Sequence, residues 1–256
     1  MAISINDIKL EFSSCPIENI ETLFEKYKDD DRKGVLKLIE SYKNKLIAME
    51  QEKQRIESLL RYEKELYAKG YKFIAGVDEV GRGPLAGPVV TSAVILPKDC
   101  RIMGINDSKK LSEKKRNELY DIIIREAVSY SFGIVSPKEI DDINILQATY
   151  KAMKIAIDGL SIKPDFVLAD AVTIPNIHCE QMGIIKGDAK SLYIGASSII
   201  AKVERDRMME QYAELYPEYH FEKNKGYGSK EHIDALKKYG PSPIHRRSFL
   251  KNLLEV

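Results

Sequence analysis

At 256 residues, 44% hydrophobic and 31% charged, the chain has the length of one or two domains and an ordinary globular composition. Its 40 basic and 39 acidic residues nearly cancel, so net charge points to no nucleic-acid or membrane partner, and only local charge can. Cys15, Cys100 and Cys179 are far apart, with no Cys-x-x-Cys or Cys/His ligand spacing, which argues against a disulfide framework or a zinc site and suits a reducing, cytoplasmic setting.

The opening "MAISINDIKLEF" carries acidic residues and no long apolar region, unlike a secretory signal. Over 33–69, Leu36, Ile39, Tyr42, Leu46, Met49, Ile56 and Leu60 recur at helical spacing, which predicts one long amphipathic helix, or two with a break, stopped by Gly70. Packing onto the rest of the chain, or a protein partner for these N-terminal helices, would use that stripe. From residue 72 the pattern turns α/β. Strands are expected near 73–79, 87–96, 129–136, 165–170 and 180–186, and helices at 112–128, with Ser112 as N-cap, 144–159, 190–213 and 230–239. The first two strands, joined by "GRGPLAG", should pair antiparallel, and the helix-separated later ones parallel, giving a mixed sheet. The apolar run "VVTSAVIL" falls far short of the ~20 residues of a membrane span.

The tail differs again. Over 223–251 there are eight basic residues, Lys223, Lys225, Lys230, Lys237, Lys238, Arg246, Arg247 and Lys251, against Glu231 and Asp234, with Tyr227, Tyr239 and Phe249 interleaved. That pattern suits a phosphate-backbone surface with stacking platforms, and equally a solvated helix face. None of His178, His220, His232 and His245 has ligand spacing. Each reads as structural or superficial, although His232 and His245 lie in the basic tail, where they could meet phosphate. Cys179 reads as a small core residue.

The chemistry concentrates in four carboxylates. Asp78 and Glu79 follow the apolar "FIAGV", Asp170 ends "PDFVLAD", and Asp188 follows "MGIIKGD". A single such Asp is usually a turn or cap residue. Four carboxylates, three of them at or just past the ends of expected strands, can converge on one rim of a sheet, where a divalent oxygen-seeking ion, Mg²⁺ or Mn²⁺, would offset their charge. Adjacent strand residues point to opposite faces, so Asp78 and Glu79 reach one site only if the strand bends or ends there. Glu79 could also act through its carbonyl or a water. "GRGPLA" formally fits a dinucleotide-binding pattern, but a strand follows it instead of a helix, and no Gly-Lys-Ser/Thr follows for a phosphate loop.

These blocks resemble bacterial ribonuclease HII, the type 2 ribonucleases H. The match runs through "GVDEVGRGPLAGPVV" at 76–90, "NDSKKLS" at 106–112, "LAD" at 168–170, "IKGDAKSLYIGASSIIAKVERD" at 185–206, "NKGYGSKEH" at 224–232 and "GPSPIHRRSF" near the end. The sister family, ribonuclease HIII, usually carries Thr within the Gly-x-Gly, so Arg82 favours HII. The resemblance implies a ribonuclease H-like mixed five-stranded sheet flanked by helices. It covers roughly residues 72–250, which divide into a catalytic core over 72–215 and a basic, helical substrate-binding segment over 216–256; the helical N-terminal extension over 1–71 is a departure about which the resemblance says nothing.

Carried over residue by residue, the resemblance makes Asp78, Glu79, Asp170 and Asp188 catalytic metal ligands for Mn²⁺ or Mg²⁺. Gly81, Arg82 and Gly83 would sense the ribose 2′-hydroxyl, and Tyr227 would stack on a sugar at the RNA–DNA junction. Ser108 and Lys109, with Lys202 and Ser198, would contact or support phosphate. The implied activity is metal-dependent cutting of RNA in RNA/DNA hybrids, including incision 5′ of a lone ribonucleotide in duplex DNA, with no membrane partner. The alternatives are a non-catalytic binder on the same fold, a different nuclease or integrase of the superfamily, and a recruitment factor acting through the N-terminal helices.

Overall fold

The computed structural model describes residues 3–251 and 253. By compactness the chain divides into residues 1–55 and 56–256. In the first unit, helix α1 (Ile5–Ser14) is capped by the Ser4 hydroxyl, which accepts from the Asp7 amide, and is followed by α2 (Ile20–Lys26) and the start of α3 (Lys33–Leu59). Ile8, Phe12, Ile20, Tyr27, Val35 and Ile39 form its core. The expected stripe on α3 is shifted at its start, because Val35 is buried and Leu36 is 48% exposed.

The helix breaks at Leu60 and resumes as α4 (Arg61–Ala68), and Gly70 follows with φ +98°. The sequence changes character near residue 70, but residues 56–71 pack with the sheet. Ile56, Leu59, Leu60 and Leu66 lie in the same core as Ile74, Val94 and Leu168.

Five strands form one sheet in the order β3-β2-β1-β4-β5: β1 (Ile74–Val80), β2 (Val89–Ile95), β3 (Ser129–Val135), β4 (Phe166–Asp170) and β5 (Glu180–Ile184). β1 and β2 pair antiparallel, as expected from their short loop, and β4 lies parallel to β1. One expectation about pairing fails: β3 is antiparallel to β2 despite the intervening α5 (Glu113–Glu126). β5 is parallel to β4, as expected of a later strand, although no helix lies between them. Strands of only five residues need a short return path, and the nine residues 171–179 can reach about 30 Å. Helix α6 (Pro137–Ile143), started by a Ser136–Glu139 capping box just before α7 (Ile145–Asp158), lies outside the expected helices.

The strand period of two assigns β1 side chains to two cores. Ile74 faces α8 (Leu192–Leu215), whereas Ala75 and Val77 pack with Met153 and Ala156 of α7. Gly76 lets α8 lie on the sheet, since a Cβ there would stand 2.1 Å from the Tyr193 carbonyl carbon. Beyond α8, short α9 (Phe221–Asn224), α10 (Lys230–Tyr239) and α11 (Arg247–Leu250) build a third core with Ala86 and Met209. The basic tail is thereby packed onto the loop that follows β1.

Candidate active site

Because Val77 stands opposite Ala169 in the parallel β1–β4 pair, the next residues on the two strands are Asp78 and Asp170. Asp188 sits in a short 3-10 turn, Gly187–Ala189, immediately before α8. Asp78, Glu79, Asp170 and Asp188 line one cavity of about 410 Å³, together with Val80, Ser108, Lys109, Ser198, Lys202 and Tyr227. Asp78 and Glu79 both line the cavity although each is still paired within β1, which ends one residue later at Val80, where Gly81 turns with φ +90°. Gly81, Arg82 and Gly83 do not line the cavity. They sit beside it, with Arg82 donating to Glu79 at 3.2 Å. A Cβ on Gly83 would stand 3.8 Å from the Tyr227 ring.

Asp78 and Asp170 are anchored by local partners. The Asp78 amide donates to Ser197 Oγ at 2.9 Å, and Ser197 is itself tied to Ser92 of β2. Asp78 Oδ1 accepts from the Glu79 amide, and Asp170 Oδ1 from the Gly187 amide, each at 2.7 Å. Ser108 and Ser198 hydroxyls meet at 3.0 Å, and Lys202 pairs with Asp206 at 2.7 Å.

Burial pushes Asp78 well above the usual carboxylate range, and Glu79 and Asp170 add repulsion, while Ser198 opposes the shift. Burial likewise raises Glu79, against the pull of Arg82. Burial and then Asp170 and Asp107 raise Asp188, and burial lowers Lys202 against the pull of Asp206. Glu79 Oε2 is buried without a hydrogen-bond partner.

These are the donors of a hard divalent cation: oxygen only, rich in negative charge, with one buried oxygen unsatisfied. No three His, Cys, Asp or Glu side chains among the described residues are already drawn around one point as ligands. A cation would relieve the mutual repulsion that helps to raise Asp78 and Asp188. By donor chemistry the residues fit Mg²⁺ or Mn²⁺.

The loop after β1 is held from within. Arg246, fully buried, donates to the carbonyls of Gly81 (2.5 Å), Arg82 (3.0 Å) and Gly87 (2.9 and 2.8 Å). Arg205 on α8, also fully buried, donates to Pro88 (3.0 Å), Ala86 (3.1 Å) and Lys225 (2.9 Å). Burial lowers both, Arg205 to about 10 and Arg246 to about 9, so both stay charged at neutral pH against carbonyl dipoles. Gly81 cannot carry a side chain, since its Cβ would lie 2.3 Å from Arg205 Nε.

A model of the ribonuclease HII family matches residues 75–252, and one of the ribonuclease HII N-terminal domain matches residues 4–67. The chain belongs to the ribonuclease HII family. It is therefore a metal-dependent endoribonuclease of the ribonuclease H type, which cleaves RNA in RNA/DNA hybrids. It is 51% identical to the ribonuclease HII of Clostridioides difficile over 98% of each chain, and 54% identical to that of Bacillus subtilis over 86% of each. Among solved structures it resembles the ribonuclease H2 of Pyrococcus horikoshii (31% identity, TM-score 0.61, 72% of this chain and 98% of that one). It also resembles the ribonuclease HII of Archaeoglobus fulgidus, solved in complex with PCNA (26%, TM-score 0.57, 70% and 96%). The alternative of a different nuclease or integrase is set aside by these matches. No helix among the described residues is long and apolar enough to cross a membrane.

Within this ribonuclease HII, two readings of the basic tail are corrected. Arg246 is an interior residue and not part of a phosphate surface. His232 and His245 are buried too, so neither meets phosphate. His232 Nδ1 lies 2.8 Å from the Tyr227 carbonyl and its Nε2 lies 2.9 Å from His245 Nε2, while His245 Nδ1 accepts from the Ser242 amide at 2.9 Å. One proton arrangement satisfies all of these, with both rings neutral: His232 Nδ1–H donates to Tyr227, and His245 Nε2–H donates to His232. Burial lowers both rings, His245 to about 3 with His232 and Arg247 adding to the shift.

A histidine depressed on folding takes up protons only on unfolding, so stability is present above the unfolded value of about 6.5 and is lost as pH falls toward the folded one. The contribution of the histidine pair to the urea midpoint is expected to fall from pH 7.5 to pH 5, against the opposite contribution of the raised carboxylates Asp78, Glu79, Asp188 and Glu63. Relative to wild type, His245→Phe, which removes one titrating ring, should gain in midpoint on going from pH 7.5 to pH 5; the same difference from wild type at both pH values would remove the pair as a cause.

Proposed function

We propose that Asp78, Glu79, Asp170 and Asp188 hold a pair of divalent cations, Mg²⁺ or Mn²⁺, and that the enzyme hydrolyses the phosphodiester on the 5′ side of a ribonucleotide. The products are a 3′-hydroxyl and a 5′-phosphate, and a single ribonucleotide inside duplex DNA is a substrate. The observation that carries this reading is the shared cavity, which brings four carboxylates from β1, β4 and the turn before α8 against two lysines and an exposed tyrosine. Bound there, two such ions supply an activated water and neutralise charge on the leaving oxygen.

The chain's own residues do the rest. Lys109 and Lys202, both lining the cavity, offer cations to the phosphate, and Asp206 holds the Lys202 ammonium in place. Ser108 and Ser198 offer hydroxyls beside Asp78. Gly81, Arg82 and Gly83 present a backbone that a ribose can approach closely, and only RNA offers a 2′-hydroxyl to read. Tyr227, 45% exposed at the rim, stacks on the deoxyribose beyond the cut and so favours an RNA–DNA junction. Residues 72–215 then form the catalytic core, 216–256 the substrate-binding segment and 1–71 an extension. We place the enzyme in the cytoplasm.

The test is cleavage of a labelled DNA duplex containing one ribonucleotide, with Mg²⁺, with Mn²⁺ and with chelator, beside an all-DNA duplex and a continuous hybrid. Metal-dependent incision 5′ of the ribonucleotide, with the all-DNA duplex intact, is expected. Cutting of the continuous hybrid alone would remove the junction reading. Tyr227→Ala should lose roughly tenfold or more on the embedded ribonucleotide, in line with the ~1–3 kcal/mol of an aromatic stack. Equal cutting by wild type and Tyr227→Ala would withdraw Tyr227 from recognition.

A further inference from the structure

α4 buries an apolar face, Leu66 with Leu59 and Leu60 just before it, in the core beneath α8. In the middle of that face stands Glu63, which is fully buried. A carboxyl group in such surroundings is costly, and a leucine would fill the space more simply. Glu63 Oε1 accepts from Ser191 Oγ at 2.6 Å and from the Tyr193 amide at 3.1 Å, while Oε2 is buried without a partner. Burial raises its proton affinity. What it meets is the N-terminus of the 24-residue α8, where free amides and the helix dipole favour an acceptor.

The contact continues into the carboxylate site. Ser191 is the N-cap of α8, its hydroxyl accepting from the Ile194 amide at 3.2 Å while donating to Glu63, so its rotamer is held from both sides. The Ser191 amide donates to the Gly187 carbonyl at 2.8 Å, and the Gly187 amide donates to Asp170 Oδ1 at 2.7 Å. Asp188 lies inside the turn so closed, with its carbonyl 3.0 Å from where a Cβ on Gly195 would stand.

We propose that Glu63 is a positioning residue for Asp170 and Asp188, acting through Ser191 and the Gly187–Ala189 turn. Residues upstream of the sheet thereby set the geometry of the cation site; the inference rests on the reading of that site as a divalent-cation centre. Groups that orient metal-binding carboxylates typically matter about 10–100-fold in affinity.

The experiment is Mn²⁺ binding by titration calorimetry without nucleic acid, with the melting temperature of each variant alongside. Glu63→Leu should bind Mn²⁺ about tenfold more weakly, and the Mn²⁺ concentration for half-maximal cleavage should rise by the same factor. Glu63→Gln keeps the Oε1 acceptor and should bind as wild type does. Tyr67→Phe removes the 2.9 Å hydrogen bond from Tyr67 to Tyr193 on the same helix face, and should lower the melting temperature without changing Mn²⁺ binding. Should Glu63→Leu not fold, Ser191→Ala breaks the same chain one link on and should show the same loss. Wild-type Mn²⁺ binding in Glu63→Leu, or in Ser191→Ala where that variant replaces it, would overturn the inference if Asp170→Asn binds weakly. Wild-type binding in Asp170→Asn would instead bring down the cation reading, and the inference with it.

Discussion

Asp78→Asn is expected to fold, to melt higher than the wild type in the absence of metal, and to lose at least about a thousandfold in turnover, or ~4 kcal/mol of transition-state stabilisation. Both effects have one cause. Asp78 is buried beside Glu79 and Asp170, so its ionised form is disfavoured in the metal-free protein. A carboxylate raised on folding contributes stability that is complete below its unfolded value of about 3.9 and is lost as pH rises through the raised folded value. At pH 8 the asparagine removes that penalty, and at pH 4 the difference between the two proteins should shrink. The amide oxygen of the substituted side chain can still accept from the Glu79 amide, as Asp78 Oδ1 does, so the strand end is kept. Calorimetric melts at both pH values, with and without Mn²⁺, check the sign. Mn²⁺ should raise the melting temperature of the wild type and leave the variant nearly unmoved. Full turnover in Asp78→Asn would refute the assignment of the cation site.

Arg246→Lys should be the most damaging conservative change outside the carboxylates. Arg246 donates four hydrogen bonds to three carbonyls of one loop, those of Gly81 and Gly87 buried. A lysine ammonium lacks the planar fork, and burial beside Arg205 would favour its neutral form. Leaving two carbonyls unpaired at ~1–3 kcal/mol each puts the loss near ~3 kcal/mol, which is about 6–12 °C in a chain of this size. Below its melting point the variant should cut the hybrid with kcat/KM reduced by about a hundredfold, while binding Mn²⁺ as the wild type does. That split separates loss of the Gly81–Gly83 loop from loss of the metal site. A wild-type melting temperature and kcat/KM would show that the loop holds its shape without the guanidinium.

Much of this was legible in the chain itself. Apolar runs ending in Asp78–Glu79 and Asp170 marked strands with acids at one rim, and both strands are present, side by side. Other features were not readable, for a common reason. In a count of charge, Arg246 is one of eight basic residues on a tail; its carbonyl partners lie 159 or more positions away. His232 and His245 have no ligand spacing, and their relation is to each other, in a core closed by Tyr219 and Phe221. Glu63 looks like one more acidic residue on a charged helix, and the Ser191 it binds is 128 positions away. One clue was present: a glutamate on the apolar stripe of 56–66.

The sequence by itself determined the elements that depend on local physics. These are the strands, through β-branched runs and their period of two, and the cap at Ser112. It also determined which acids end those strands. Only the tertiary structure decided that β3 runs antiparallel, that Asp78 and Glu79 share a cavity, and that three polar side chains of ordinary appearance, Arg205, Arg246 and Glu63, are interior. Local propensity acts over a few residues, whereas a buried charge is tolerated only where partners from distant parts of the chain meet it, and that meeting is a property of the packed fold.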